Sequence, residues 1–282
     1  MITRHPIYLR LRDDAPNEAS AQLEREGWAL LARAFEAGEI AALRAEIENV
    51  YASLPADVRN PRLPADQRED FRYEMLNRSA ACQRVVGDRR LLDVVEPLLG
   101  EDCHVIANTA WRNPARDESR HGGGLWHMDA GPHVPRPPGV PWDDRIPYPV
   151  FAVGVHLLLE DCPLACGPTE VLAGSHRSGQ SPPLERLKDD DLRYDDREPV
   201  VLSGEAGDVA FFASDVWHRR RPTTEDDTGR FFLQVHYGRR DIAQRLRTTE
   251  EAGQVSPEAA ARAGGDRAKT VIGLHRPFFY DG

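Results

Sequence analysis

Residues 200–238 read VVLSGEAGDVAFFASDVWHRRRPTTEDDTGRFFLQVHYG. Three short apolar runs, at 200–203, 208–214 and 230–238, are rich in Val and Phe and are separated by turn-forming residues. Such residues suit a pleated, half-buried surface, so each run is expected to be a strand. The same texture extends upstream in CHVIANTAW (103–111), PVFAVGVHLLLE (149–160) and EVLAG (170–174). Strands this short and this frequent fit a sandwich, a barrel or a jelly roll. They are joined by loops at 112–124, 130–149 and 178–199, the second carrying seven prolines in twenty residues. Loops of that length in a compact domain are more often functional than idle.

Toward the N-terminus the pattern becomes helical. Within 18–53, Ile40, Leu43, Ile47 and Val50 recur at helical spacing; Gly27-Trp28 interrupts the run, and Ala29-Leu30-Leu31 reads as a short strand. Residues 54–70 are polar and Pro-rich, a surface loop, and 88–99 form a further helix stopped by Gly100. Residues 250–270 are rich in Ala, Gly and charge and read as peripheral. The expectation is one domain over 1–282, mainly β: helices over about 18–100, a strand-rich core over about 101–241, and an extension over 242–282.

The chain of 282 residues carries a net charge of −10, which disfavours the phosphate backbone of nucleic acids and anionic lipid as partners. It contains neither an 18-residue apolar run nor an N-terminal apolar leader, and its four cysteines make no disulfide scaffold; a cytoplasmic protein is expected.

The chemistry centres on Trp126-His127-Met128-Asp129. In a strand, alternate side chains share a face, so His127 and Asp129 would project together. An imidazole and a carboxylate on one face are two thirds of a metal triad, and His218, expected at the end of the strand that follows Gly207-Asp208, would supply the third ligand. Two His and one carboxylate leave open positions on an octahedral ion, the arrangement of non-haem Fe(II) oxygenases. Alone, His-x-Asp reads more readily as a surface loop with a salt-bridged His. If the register slips, Asp143 and Asp144 are the nearest alternative carboxylates. Arg230, twelve residues after His218, opens the last strand and could present its planar fork to a carboxylate.

These segments resemble the phytanoyl-CoA dioxygenase family of Fe(II)- and 2-oxoglutarate-dependent oxygenases. The resemblance is carried by WHMD (126–129), LLLEDCPLACGPTEVLAGSHR (157–177), GEAGDVAFFASDVWHRRRP (204–222) and GRFFLQVHYGRRD (229–241), with weaker likeness in EREGWALL (24–31) and RRLLDVVEPLLGEDC (89–103). It implies a double-stranded β-helix, or jelly roll, with helices outside. It implies iron on His127, Asp129 and His218, and Arg230 on the distal carboxylate of 2-oxoglutarate. Thr109 falls where the family has a cosubstrate contact. His156 falls where it often has a Trp; it either hydrogen-bonds cosubstrate or substrate, or fills the core. Arg220, two residues after the distal His, replaces a residue that is commonly small and polar. The implied activity is hydroxylation of an unactivated C–H bond of a small molecule, with O2 consumed and succinate and CO2 released. Asp129 occupies the position that a halide would need, which disfavours halogenation. The alternatives are a metal-dependent hydrolase, since the same ligands suit zinc, which leaves Arg230 unexplained, and a non-enzymatic binding protein on a degenerate jelly roll, against which the complete set of His127, Asp129, His218 and Arg230 argues.

The other histidines and the cysteines read more plainly. His236 shares strand parity with Arg230, Phe232 and Gln234 and so could line the site, but reads first as a core His with satisfied hydrogen bonds. His176 is expected to bond backbone at its turn, and His121 and His133 to be solvated. Cys162 and Cys166 lack a second pair for zinc and read as free thiols. Gly122–Gly124 would let the backbone pass close to the site. Trp111, Trp126 and Trp142 would supply apolar walls, and the loops 130–149 and 178–199 would border its mouth.

Overall fold

The computed structural model describes residues 17–55, 57, 70–115, 123–129, 131–247 and 254–274. The N-terminal part comprises α1 (Glu18–Glu26), β1 (Trp28–Leu31), α2 (Ala37–Ser53), β2 (Asp70–Arg72), α3 (Met75–Arg78), α4 (Ala80–Val86) and α5 (Arg89–Leu99). Seven strands follow: β3 (His104–Asn113), β4 (Ala152–Leu158), β5 (Thr169–Val171), β6 (Val200–Val201), β7 (Val209–Ala213), β8 (His218–Arg220) and β9 (Arg230–Gly238). Two short helices close the described chain, α6 (Pro257–Arg262) and α7 (Asp266–Val271).

Among the described residues the strands form two antiparallel sheets. The larger runs β1-β7-β4-β9-β3-β2 and the smaller β6-β5-β8. A single bridge between His127 and His218 adds the metal-motif segment to the free side of β8. The two sheets are the walls of a double-stranded β-helix, as the sequence implied.

Strand parity decides what each face of the large sheet holds. Phe231, Leu233, Val235 and Tyr237 of β9 join Val153, Val155 and Leu157 of β4 and Phe211 of β7 in the main core, against Ile40, Leu43 and Ile47 of α2 and Leu92 and Leu99 of α5. The alternate residues of β9 (Arg230, Phe232, Gln234 and His236) and His156 of β4 line a cavity on the opposite face. β4 is buried along its whole length because it serves both faces. Gly154 on β4 is obligatory: a Cβ there would meet the Phe212 ring at 2.5 Å and His236 Nε2 at 2.9 Å.

The helices are fixed by their ends. Asn17 caps α1 by accepting from Ser20 N–H, and Gly27, at φ +80°, stops it. Glu36 and Glu39 form a capping box on α2. The small sheet is held by charge. Fully buried Glu170 of β5 accepts from Arg219 Nε at 2.6 Å and from Arg221 Nη1 at 2.9 Å, tying β5 to β8. Removing one partner of such a network would leave buried charge uncompensated.

Several expectations shift. β7 ends at Ala213, and His218 opens a strand of its own after a turn. The 126–129 segment is extended but makes one bridge, not a strand. The helical region contributes two edge strands, and β2, α3 and α4 were not foreseen. The tail is not peripheral: Ala259, Val271 and Ile272 are buried in the main core, and Arg267 reaches buried Glu96 at 2.5 Å. Of the polar loop at 54–70, residues 56 and 58–69 lie outside the described residues.

Candidate active site

His127 and His218 exchange backbone hydrogen bonds, each N–H to the other's C=O at 2.9 Å, and Asp129 N–H donates to Ser214 C=O at 3.0 Å. This lattice brings one ligand atom from each of His127, Asp129 and His218 within 4.8 Å of one another. Each imidazole is oriented from behind. His127 Nδ1 donates to Leu125 C=O at 2.7 Å and His218 Nδ1 to Val216 C=O at 2.9 Å. A carbonyl can only accept, so Nδ1 carries the proton and Nε2 keeps its lone pair for a metal.

Asp129 Oδ1 lies 3.5 Å from His218 Nε2, and Asp129 Oδ2 accepts from His236 Nε2 at 3.0 Å. Desolvation in the cavity works against its charge, but His218 and His236 outweigh it and hold the carboxyl well below the usual carboxylate range. Burial likewise opposes charging of His218, and contact with Asp129 overrides it, raising that pKa. Two imidazoles and one carboxylate, oriented by outer hydrogen bonds and facing open space, are a donor set that fits a divalent transition metal such as Fe(II).

The space they face is a cavity of about 540 Å³. Arg230 lies on its wall, held by Nε to Asn113 Oδ1 and Nη1 to Gly167 C=O, both at 2.9 Å, with its guanidinium over the Phe232 ring. Thr109 lies beside Gln234 in the β3–β9 ladder, and both line the cavity. Gln234 Oε1 accepts from Trp111 Nε1 at 2.9 Å, and its Nε2 lies 3.3 Å from His156 Nε2. His156 Nδ1 is 3.4 Å from Thr169 Oγ1. Burial, then Arg230 and His236, keep the His156 pKa well below the usual value, so it stays neutral. It is a hydrogen-bonded wall residue between the rings of Phe212 and Phe232.

His236 takes the second of its two expected roles: it lines the cavity, as strand parity with Arg230 allowed, and binds Asp129, which the sequence did not indicate. His133 is withdrawn from solvent at the cavity wall, 3.5 Å from the carboxylate of Asp215, and its burial lowers its pKa. Asp215 is fully buried and also accepts from Tyr148 Oη at 2.7 Å. His176 donates to Glu24 C=O at 2.9 Å, binding its turn to α1. His121 and Gly122 lie outside the described residues, while Gly123 lines the cavity.

Of the three tryptophans only Trp111 reaches the cavity. Trp126 is in a small apolar cluster with Leu172, Leu192 and Trp217, its Nε1 donating to Asp189 C=O. Trp142 faces a second, more open cavity of about 710 Å³, which the Pro-rich and acidic loops border instead of the first; His133 is their described contribution to the metal-motif cavity. Asp143 and Asp144 are tied to Arg145 and Arg177 and line neither the triad nor its cavity. The four cysteines are free and buried, and burial pushes the Cys82 and Cys103 thiols up to about 12 and Cys162 up to about 11.

The His236–Asp129 contact carries a prediction. His236→Leu removes the donor on the outer carboxylate oxygen, so metal affinity should fall by about 10–100-fold, the usual cost of losing an outer partner of a ligand. His236→Gln, which keeps a donor, should recover part of it. Fe(II) titration under anaerobic conditions reads both; equal affinity in the Leu variant would mean that Asp129 is held by other contacts.

The pattern of the family described as "Phytanoyl-CoA dioxygenase (PhyH)" matches residues 23–230. The ectoine dioxygenase of Sphingopyxis alaskensis is 26% identical over 235 residues, covering 75% of this chain and 73% of the relative. That of Bordetella parapertussis is 29% identical over 221 residues, covering 69% and 66%. Among solved structures, EctD from S. alaskensis with 2-oxoglutarate and 5-hydroxyectoine superposes with a TM-score of 0.63 at 23% identity, over 94% of this chain and 91% of that one. HygX from Streptomyces hygroscopicus with nickel and 2-oxoglutarate gives 0.60 at 17%, over 86% and 97%. At these identities the structures share a fold. No described helix is long and apolar enough to cross a membrane.

Proposed function

We propose, for a chain that belongs to the phytanoyl-CoA dioxygenase family and so to the iron(II)- and 2-oxoglutarate-dependent dioxygenases, that it hydroxylates an unactivated C–H bond of a small organic molecule. The observation that carries this reading is the convergence of His127, Asp129 and His218 on the cavity that Arg230 also borders. In this reading His127 Nε2, His218 Nε2 and one Asp129 oxygen hold Fe(II), and Arg230 pairs with the distal carboxylate of 2-oxoglutarate. The bound iron, with 2-oxoglutarate and O2, supplies the oxidising power: succinate and CO2 leave, and one oxygen atom goes to the substrate. The protein's own task is orientation and exclusion. Leu125 and Val216 carbonyls aim the two imidazoles, His236 holds one Asp129 oxygen, and neutral His156, Thr109 and Gln234 shape the wall along which the cosubstrate would lie.

The curated relatives are ectoine dioxygenases, which makes ectoine the first compound to try. Four buried thiols without disulfides suit a reducing compartment, and we place the enzyme in the cytoplasm on that ground. The test is anaerobic reconstitution with Fe(II) and 2-oxoglutarate, then exposure to O2. Slow succinate formation without substrate is expected, faster with a true substrate, which gains one oxygen atom by mass spectrometry. The absence of both 2-oxoglutarate binding and succinate would overturn the reading in favour of a hydrolase or a binding protein.

A further inference from the structure

His133 reaches the metal-motif cavity from a backbone that is fixed on both sides. Pro132 and Pro135 stiffen the chain around it. Val134 packs against the main core, and Arg136 N–H donates to Gly179 C=O at 3.2 Å. The imidazole lies 5.1 Å from the Phe151 ring. Behind it stands Asp215, on the turn between β7 and β8. Asp215 is fully buried; its Oδ2 accepts from Tyr148 Oη at 2.7 Å and lies 3.5 Å from His133 Nδ1. Asp215 Oδ1 and His133 Nδ1 are both buried and without a hydrogen-bond partner among the described residues. A buried carboxylate with spare lone pairs favours a donor, and a slight movement of the ring brings Nδ1–H to it. Hydrogen bonds that serve a site are often long until a ligand binds. The same turn fixes the pair relative to the metal motif, because Ser214 C=O accepts from Asp129 N–H at 3.0 Å.

The other described imidazoles of the cavity are committed. His127 and His218 turn Nδ1 to backbone carbonyls and Nε2 to the metal site. His236 binds Asp129, and His156 sits against Gln234 and Thr169. In His133, Nδ1 is sealed against Asp215, which leaves Nε2 as the ring nitrogen open to the cavity. Burial lowers the His133 pKa, so the ring is neutral and carries one N–H. With that proton on Nδ1, Nε2 keeps a lone pair.

We propose that His133 positions the substrate: Asp215 holds the proton on its Nδ1, and its Nε2 accepts a hydrogen bond from an N–H or O–H group of the substrate. The proposal rests on reading this cavity as the oxygenase's substrate site. It narrows the substrate to small molecules that carry such a donor and makes a bare hydrocarbon chain a poor fit. Asp215 does not touch the substrate; it is a positioning residue that acts through His133.

The experiment is nitrogen NMR of the full chain labelled at histidine, loaded with Zn(II) in place of iron and with 2-oxoglutarate; the His133 signals are those lost in His133→Phe. Wild type should show His133 with Nδ1 protonated and Nε2 bare. Asp215→Asn should invert this, because an amide can donate to Nδ1 and drive the proton to Nε2. Ectoine, whose ring carries N–H donors, is the probe. On binding it should move the wild-type Nε2 signal. Its affinity should fall by about ten-fold or more in His133→Phe and in Asp215→Asn, with Zn(II) and 2-oxoglutarate held within about two-fold. His133→Gln, which keeps an acceptor, should recover part of the loss. A protonated Nε2 in wild type would overturn the proposal. So would ectoine affinity unchanged in His133→Phe, or equal loss of metal and 2-oxoglutarate there, which would show a merely structural role. If ectoine does not bind wild type, the tautomer decides: inversion in Asp215→Asn supports the pair, and no inversion overturns it. If wild type does not bind 2-oxoglutarate, the cosubstrate reading falls by itself, and the tautomer and ectoine still decide the role of His133.

Discussion

Asp129→Gly is expected to strip the protein of iron and reduce succinate formation to background. It removes one of the three converging side chains proposed to hold iron, a larger loss than the about 10–100-fold in affinity that follows from removing an outer partner. It also leaves His218 Nε2 and His236 Nε2 facing the cavity without the carboxylate that now joins them. The fold should survive, because the structural bonds of this segment run through backbone: Asp129 N–H to Ser214 and the His127–His218 bridge do not need the side chain. Metal content by emission spectroscopy and succinate by mass spectrometry give the two readouts. A variant that kept both near wild type would remove Asp129 from the ligand set. No other described carboxylate lines the cavity to replace it, and Asp143 and Asp144 are occupied elsewhere by arginines.

Arg230→Ala should show the opposite pattern: iron retained, 2-oxoglutarate bound tens-fold or more weakly. Truncating one partner of a desolvated charge pair costs about 2–5 kcal/mol. Arg230 is placed by Asn113 and Gly167 and touches none of the three ligand residues in the hydrogen-bond network given by its Nε and Nη1 atoms. Anaerobic titration separates the two quantities. Loss of metal together with cosubstrate would mean that Arg230 supports the site's structure and not its ligand.

The strand β9 was readable to the residue because one nine-residue run carries a single alternation and serves one face of each kind. The local motif at His127 and Asp129 was readable for a similar reason: two residues apart is close enough for sequence spacing to stand for space. What spacing does not encode is contact between distant segments. His236 meets Asp129 across 107 positions, and Arg220 and Arg230 share a glycine carbonyl more than fifty residues upstream of both. The Pro-rich loop was recognisable as a loop, yet its destination beside the second cavity depends on the Trp142–Tyr148 packing and the buried Tyr148–Asp215 bond, which no periodicity announces. The short elements β2, α3 and α4 are three to seven residues long, too brief for a period to show.

The two outermost strands of the large sheet, β1 and β2, are only four and three residues long, and both come from the region that otherwise supplies helices. They cap β7 and β3, whose unpaired backbone would otherwise be a ready template for a neighbouring molecule. The N-terminal third thus acts as an anti-aggregation device as well as a packing layer. A chain trimmed to its jelly roll would bare the backbone of β7 and β3 to edge-to-edge association.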